Sequence, residues 1–203
     1  MKKLVVLLLA SLMATSAFAV IDPDPDMIGI YFDTNAEDNC KIAEPSTPFF
    51  AYLIATNPTP ANINAYELGM LNVVPAGNEG MVFRLSSNIA DGVVSGVDVG
   101  VSGPLGGDHI VGLAEPLVTT EATILHSWQF MMLAVFPMDM YIFQSSAPSI
   151  DDVYPVLQNA DGSILYTAGQ STGGPDIPVA GVNSECAVAV EEASFGSVKS
   201  LFR

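Results

Sequence analysis

Basic residues, histidine, cysteine and tryptophan are all scarce in this chain of 203 residues, which has six Lys plus Arg, two His, two Cys and one Trp. Each shortage removes a class of function. With 22 acidic residues against six basic ones, the chain repels a phosphate backbone or an anionic lipid surface, which excludes nucleic-acid binding and electrostatic membrane docking. Two histidines and few cations leave little for acid–base or oxyanion roles. Zinc sites want three or four ligands at close spacing, and neither His109 nor His126 is near a cysteine in sequence. Gly92-Val-Val-Ser-Gly96 is one residue out of the Gly-x-Ser-x-Gly pattern of a serine hydrolase. No amphipathic helix is legible, so a doubly wound fold or a Gly-rich phosphate loop has nowhere to sit.

What is present is enough apolar residue to bury a core, 50% hydrophobic with 14% charged, unlike a disordered chain. The first residues are set aside before any fold argument. Met1, Lys2 and Lys3 form a positive start, Leu4 to Met13 are almost wholly apolar, and Ala17-Phe18-Ala19 gives a small-x-small cleavage site. Residues 1–19 therefore read as a signal peptide, with cleavage after Ala19 and a mature chain from Val20 to Arg203. The apolar run falls short of the roughly 20 residues a bilayer requires, so no membrane span is expected after cleavage. The expected address is extracellular, cell-surface or periplasmic. Without Lys2 and Lys3, four basic residues face 22 acidic ones, a formal charge of −18; the acids are scattered, as solubility requires.

Strand signals occupy nearly all of the mature chain. Short β-rich or alternating runs cover Met27 to Asp33, Pro48 to Thr56, Ile63 to Val73, Met81 to Ser86, Val93 to Val101 with Asp98 interrupting it, His109 to Leu113 and Leu117 to Thr120. Ala122 to Phe136 is the most apolar stretch and its length makes a helix the rival reading; its β-branched and aromatic content favours a buried strand that continues or bends. Met138 to Gln144 alternates, Ser163 to Thr167 can pair across the Asn159-Ala-Asp-Gly162 turn, and Val179 to Val182 and Cys186 to Val190 read as the last strands. About nine to eleven short strands at roughly 8 to 12 residue spacing predict an all-β fold, a single antiparallel β-sandwich with Greek-key links. The predicted domain is 20–190, followed by a C-terminal tail, 191–203. In an exported chain, Cys40 and Cys186 are most simply read as one disulfide joining the two terminal regions.

The search for chemistry yields few residues. Asp22, Asp24 and Asp26 alternate like a calcium loop, but Pro23 and Pro25 and the lack of a following glycine spoil the pattern. Asp151, Asp152 and Asp161 are candidates for a weak Ca²⁺ site at one end of the sandwich, against a turn role for Asp161 before Gly162; no other cofactor is expected. His109, at a strand start, is the one suggestive histidine, and His126 beside Trp128 reads as semi-buried packing. Tyr31, Phe49, Phe50, Tyr52 and Tyr66 could stack sugars if exposed, with core the default. In the tail, Lys199 and Arg203 alternate with Phe195, Val198, Leu201 and Phe202, a spacing that could present one adhesive face to a partner.

The segment PFFAYLIATNPTPANINAYELGM, the segment GLAEPL, and a cysteine near the end followed by Ser194-Phe-Gly-Ser-Val-Lys-Ser-Leu-Phe-Arg203 resemble a group of secreted proteins of environmental bacteria. Their tails read Trp-Gly-x-Val-Lys-x-Leu-Tyr-Arg; this chain departs at Phe195 and Phe202. The resemblance implies a cohesin-like or immunoglobulin-like sandwich and carries no catalytic residues. The expected function is that of a non-catalytic secreted protein with a binding, adhesion or surface-assembly role toward a protein or glycan partner. The alternative is a small extracytoplasmic hydrolase using loop-end carboxylates and His109.

Overall fold

The computed structural model describes residues 22–151 and 153–184, and these fold into two facing β-sheets. Fourteen strands follow in chain order: β1 (Met27–Tyr31), β2 (Cys40–Lys41), β3 (Phe49–Thr56), β4 (Asn62–Val73), β5 (Val82–Ile89), β6 (Gly96–Asp98), β7 (Ser102–Gly103), β8 (Gly106–Val118), β9 (Ala122–Met132), β10 (Met138–Phe143), β11 (Val156–Asn159), β12 (Leu165–Thr167), β13 (Gly169–Gln170) and β14 (Ala180–Val182). The first sheet runs β13-β1-β3-β9-β5. In the second, β4 pairs with β8 on one edge and with both β10 and β11 on the other; β6 and β7 extend β8, β12 extends β11, and β14 and β2 extend β10. Most connections cross from one sheet to the other, so the interior is closed by elements distant in sequence, as expected of a Greek-key sandwich.

Alternation explains which residues face inward, since successive side chains of a strand point to opposite faces. Met138, Met140 and Ile142 of β10 are buried while Asp139, Tyr141 and Phe143 between them are half-exposed. Trp128, Phe130 and Met132 of β9 and Phe49, Ala51 and Leu53 of β3 line the opposite wall. β9 bends where Leu125 leaves the ladder, the register passing from Leu53 opposite His126 to Ile54 opposite Ile124. The apolar stretch from Ala122 stops at Met132; Phe136 is buried but lies in the turn before β10.

Three elements differ from the sequence expectation. Val93 to Val101 forms only the short β6, with Val93, Val97, Val99 and Val101 all exposed. The chain breaks at Asp98, whose Oδ1 accepts hydrogen bonds from the backbone N–H of Gly100 (2.9 Å) and Ile110 (3.0 Å). Gly100 is pressed against β8, where a Cβ would lie 2.3 Å from the Asp108 carbonyl oxygen. Conversely, β8 runs unbroken through Glu115-Pro116: the register jumps from Ala65 opposite Gly112 to Ile63 opposite Leu117, so Pro116 sits in a bulge where no donor to β4 is needed. β2 and β13, each two residues long, carry no sequence signal. The pairing across Asn159–Gly162 is present as β11 with β12.

Candidate functional site

His109 of β8 and His126 of β9 belong to opposite sheets and meet in the interior, with ring centroids 4.6 Å apart. They are 0% and 1% exposed, so neither is the strand-end polar cap or the semi-buried packing residue expected from sequence. Both sit on the inward face of their strands, two residues from Val111 and Trp128 respectively. Asp98 turns in from β6, and its Oδ2 accepts from His109 Nδ1 at 2.6 Å. Burial pushes the Asp98 carboxyl up, but the bond and charge of His109 and the two backbone N–H groups outweigh it and hold it below the usual range.

His126 has a different set of partners. Tyr66 Oη donates to the Leu125 carbonyl (2.8 Å), so His126 Nδ1 donates to Tyr66 Oη (2.8 Å) and His126 Nε2 accepts from Ser87 Oγ (2.7 Å). Burial, followed by the neighbouring His109 and Arg84, pushes the His126 imidazolium down to about 3, with Asp98 acting the other way. Burial likewise pushes the Tyr66 phenol up, keeping it protonated. Arg84 reaches from the edge of the first sheet to donate to Ser102 Oγ and to its carbonyl, both at 2.8 Å.

This arrangement is a poor general base. A catalytic base works best with a pKa near the operating pH and within reach of substrate, whereas His126 is neutral, sealed in the core and already hydrogen-bonded at both nitrogens. His109 is equally enclosed and has one carboxylate, Asp98. Asp161 instead caps its own turn, accepting from the Ser163 N–H at 2.9 Å, while Asp151 lies in the loop before β11 and Asp152 outside the described residues. Among the described residues, the carboxylate on His109 is that of Asp98, while Asp161 is engaged in its own turn. Among the described residues, the one group of three His, Cys, Asp or Glu able to share an ion is Asp98, His109 and His126. Asp22 and Asp26 are also engaged locally, with the Asp24 N–H (3.0 Å) and with Thr59 respectively.

The accessible feature is on the outer face of the second sheet. A groove of about 310 Å³ lies across β4, β8 and β11, walled by Val97, Val99, Ile110, Val156 and Leu165. Glu67 sets its polar floor, the carboxylate accepting from the backbone N–H (2.5 Å) and Oγ (2.8 Å) of Ser149. Gly112 lies at an open point of the groove, where a Cβ would meet nothing. Val97 and Val99 are 66% and 69% exposed, a degree that needs a reason in residues this apolar. The alternation of Val93 to Val101 pointed to these valines but assigned them to a strand with a buried face. On the first sheet, Tyr31 and Phe49 are buried, as is Tyr66 of the second, whereas Phe50 is exposed and Tyr52 half-buried, their rings stacked at 6.1 Å.

No protein-family profile and no curated protein matches the chain. Among solved structures, it is similar to a type II cohesin domain from the cellulosome of Acetivibrio cellulolyticus, at 13% identity and a TM-score of 0.52, over 82% of this chain and 100% of that one. The sixth cohesin of scaffoldin B from the same organism, solved in complex with a Cel5 dockerin mutant, gives 10% identity and a TM-score of 0.49 over 78% and 98%. At such identities the likeness is one of fold: the chain is a β-sandwich of cohesin-like architecture.

Proposed function

We propose that the chain is a secreted, non-catalytic binding module that takes a protein partner in the groove of its second sheet. The exposed Val97–Val99 wall above the Glu67–Ser149 floor carries this reading, since it supplies an apolar centre with a satisfied polar base, the anatomy of a specific protein interface. Its support from the comparisons is the fold alone. A formal charge of −18 in the mature chain favours a partner with basic character. Protein captured by the immobilised chain from the source organism's secreted fraction should bind about tenfold more weakly to Val97→Arg or Val99→Arg, with unchanged melting. Equal capture by both variants would remove the groove from the interface.

A glycan partner has a narrower base, the exposed Phe50 ring stacked on half-buried Tyr52; retardation on polysaccharide gels that survives Phe50→Ala would count against it. Export and the tail remain part of the proposal. Residues 1–21 and 185–203, with the leader, Cys186 and the tail residues Phe195, Val198, Lys199, Leu201, Phe202 and Arg203, lie outside the described residues. Cys40 opens β2 opposite Gly181 of β14, and Cys186 follows Val182 by four residues, a reach compatible with a bridge. Secreted protein should begin at Val20 in mass spectra and show no titratable thiol before reduction; a free thiol pair would rule out the Cys40–Cys186 disulfide. Truncation after Val190 should leave melting unchanged and abolish surface retention; a loss of several degrees would make the tail part of the fold instead. Weak calcium binding at Asp151, Asp152 and Asp161 predicts a melting temperature that rises with Ca²⁺ over chelator; an unchanged curve removes it.

A further inference from the structure

We propose that the groove of the second sheet receives the C-terminal tail of a second copy of this chain, with Lys199 at the Glu67 carboxylate and the apolar tail residues on the valine wall. The proposal rests on the groove reading above and names its occupant. The starting observation is Glu67, which is 7% exposed, lines the open groove and has no ionic partner among the described residues. Carboxylates this enclosed are almost always paired. Its oxygens accept one bond each from Ser149, and a carboxylate offers about four acceptor positions, so lone pairs remain for an arriving ammonium. Around that charge stand Val97, Val99, Ile110, Val156 and Leu165, which keep water from a contact made there and strengthen it relative to an open surface. The groove therefore fits a segment with one cation set among apolar side chains.

This chain has few such segments, because it has six basic residues. Lys2 and Lys3 belong to the leader, Lys41 lies in the two-residue β2, and Arg84 is turned to Ser102. The remaining two are Lys199 and Arg203 of the tail, where Phe195 and Val198 precede Lys199 and Leu201 and Phe202 follow it. The tail thus matches the groove in apolar character and opposes it in charge. The direction of the chain selects a second copy over the tail's own sandwich. β14 runs antiparallel to β10, and β10 antiparallel to β4, so β14 runs in the direction of β4. Val182, opposite Met138, lies just past the Val73 end of β4, whereas the groove lies at Ala65 to Glu67. The described chain therefore leaves the sheet about 25 Å from the groove, by strand rise and spacing, and heads away from it. A tail taken up by the groove of the next molecule makes a heterologous, head-to-tail contact that joins further copies into rings or open chains. Repulsion between two acidic bodies is screened beyond about 8 Å at physiological ionic strength. Residues 185–199 can span about 50 Å when extended, so a tail doubled back onto its own groove is the competing arrangement.

The test follows the full-length secreted protein by sedimentation velocity over rising concentration at physiological ionic strength. Copies should associate into dimers and larger species. Lys199→Glu and Val99→Arg should each weaken that association about tenfold or more with unchanged melting, while Lys199→Arg, which keeps the cation, should retain it. A mixture of the two weakened variants is decisive. Lys199→Glu keeps a working groove and Val99→Arg a working tail, so together they should form one-to-one dimers that grow no further. A chain that stays monomeric at every concentration, association that Lys199→Glu leaves intact, or a mixture that stays monomeric would overturn the proposal. So would a monomer whose Val97 and Val99 methyl resonances shift on Lys199→Glu, since that places the tail on its own groove. A different secreted protein, lost on Val97→Arg but kept by Lys199→Glu, would leave the groove as the interface and overturn the second copy as its occupant.

Discussion

Replacing Trp128 by alanine is expected to cost about 4 kcal/mol, the scale for emptying a fully buried large aromatic site, and to lower the melting temperature by about 10 °C in a chain of this size. Trp128 is 0% exposed and occupies the centre of the aromatic cluster, its ring 5.0 Å from His126, 5.3 Å from His109 and 6.4 Å from Phe130. Its environment is unlike an ordinary apolar core, because two of these neighbours are imidazoles held by hydrogen bonds to Asp98, Tyr66 and Ser87. Trp128→Phe should cost much less, since the ring remains and the lost Nε1–H has no partner in the fold. Chemical denaturation of the three proteins checks both statements. A loss below 1 kcal/mol for Trp128→Ala would mean that the cluster around it does not hold the sheets together.

Acidification should destabilise the protein by about 3 kcal/mol between pH 7 and pH 4, mainly through His126. The histidine titrates near 6.5 when unfolded and near 3 when folded. Between those values the unfolded chain binds the extra proton, so stability rises with pH there and is lost as pH falls below 6.5, by about 1.4 kcal/mol per unit. Asp98, held below its ordinary range, adds loss of the same sign at lower pH, as protons compete for its carboxylate. Relief of the large negative charge acts in the opposite direction, so the informative quantity is the difference from His126→Gln, which can still accept from Ser87. The stability of that variant should flatten between pH 6.5 and 4 relative to wild type. Parallel pH profiles for the two proteins would show that His126 is not the acid-sensitive group.

The legible part of this protein is that governed by local rules. Alternation placed Met138, Met140 and Ile142 inside, the Asp-Gly turn placed β11 beside β12, and β-branched and aromatic content gave β9 as a strand despite a length that suited a helix. Each outcome depends on neighbours within a few residues, where strand period and turn chemistry are decisive. Sequence reading erred where a distant partner rewrote the local pattern. The valines from Val93 to Val101 carry a strand's alternation, yet Asp98 turns inward to His109 and breaks the run. Pro116 carries a breaker's identity, yet a bulge against β4 lets β8 pass through it.

The two histidines show the same division most clearly. Their number, their separation in sequence and the absence of any nearby cysteine gave no local metal motif or recognisable triad, and the spacing of short strand runs, with the acidic composition, assigned an all-β sandwich with an acidic surface. That His109 and His126 face each other could come only from the packing of β8 against β9 across the two sheets, because the connections between them reverse the chain and no spacing rule records which strands will stack. The exposed Val97 and Val99 likewise depend on which edge β6 joins. What composition and short-range periodicity determine is the kind of layers this chain builds; which side chains meet between the layers, and which apolar ones remain outside, follows from long-range pairing, where burial and hydrogen bonding are settled by residues tens of positions apart.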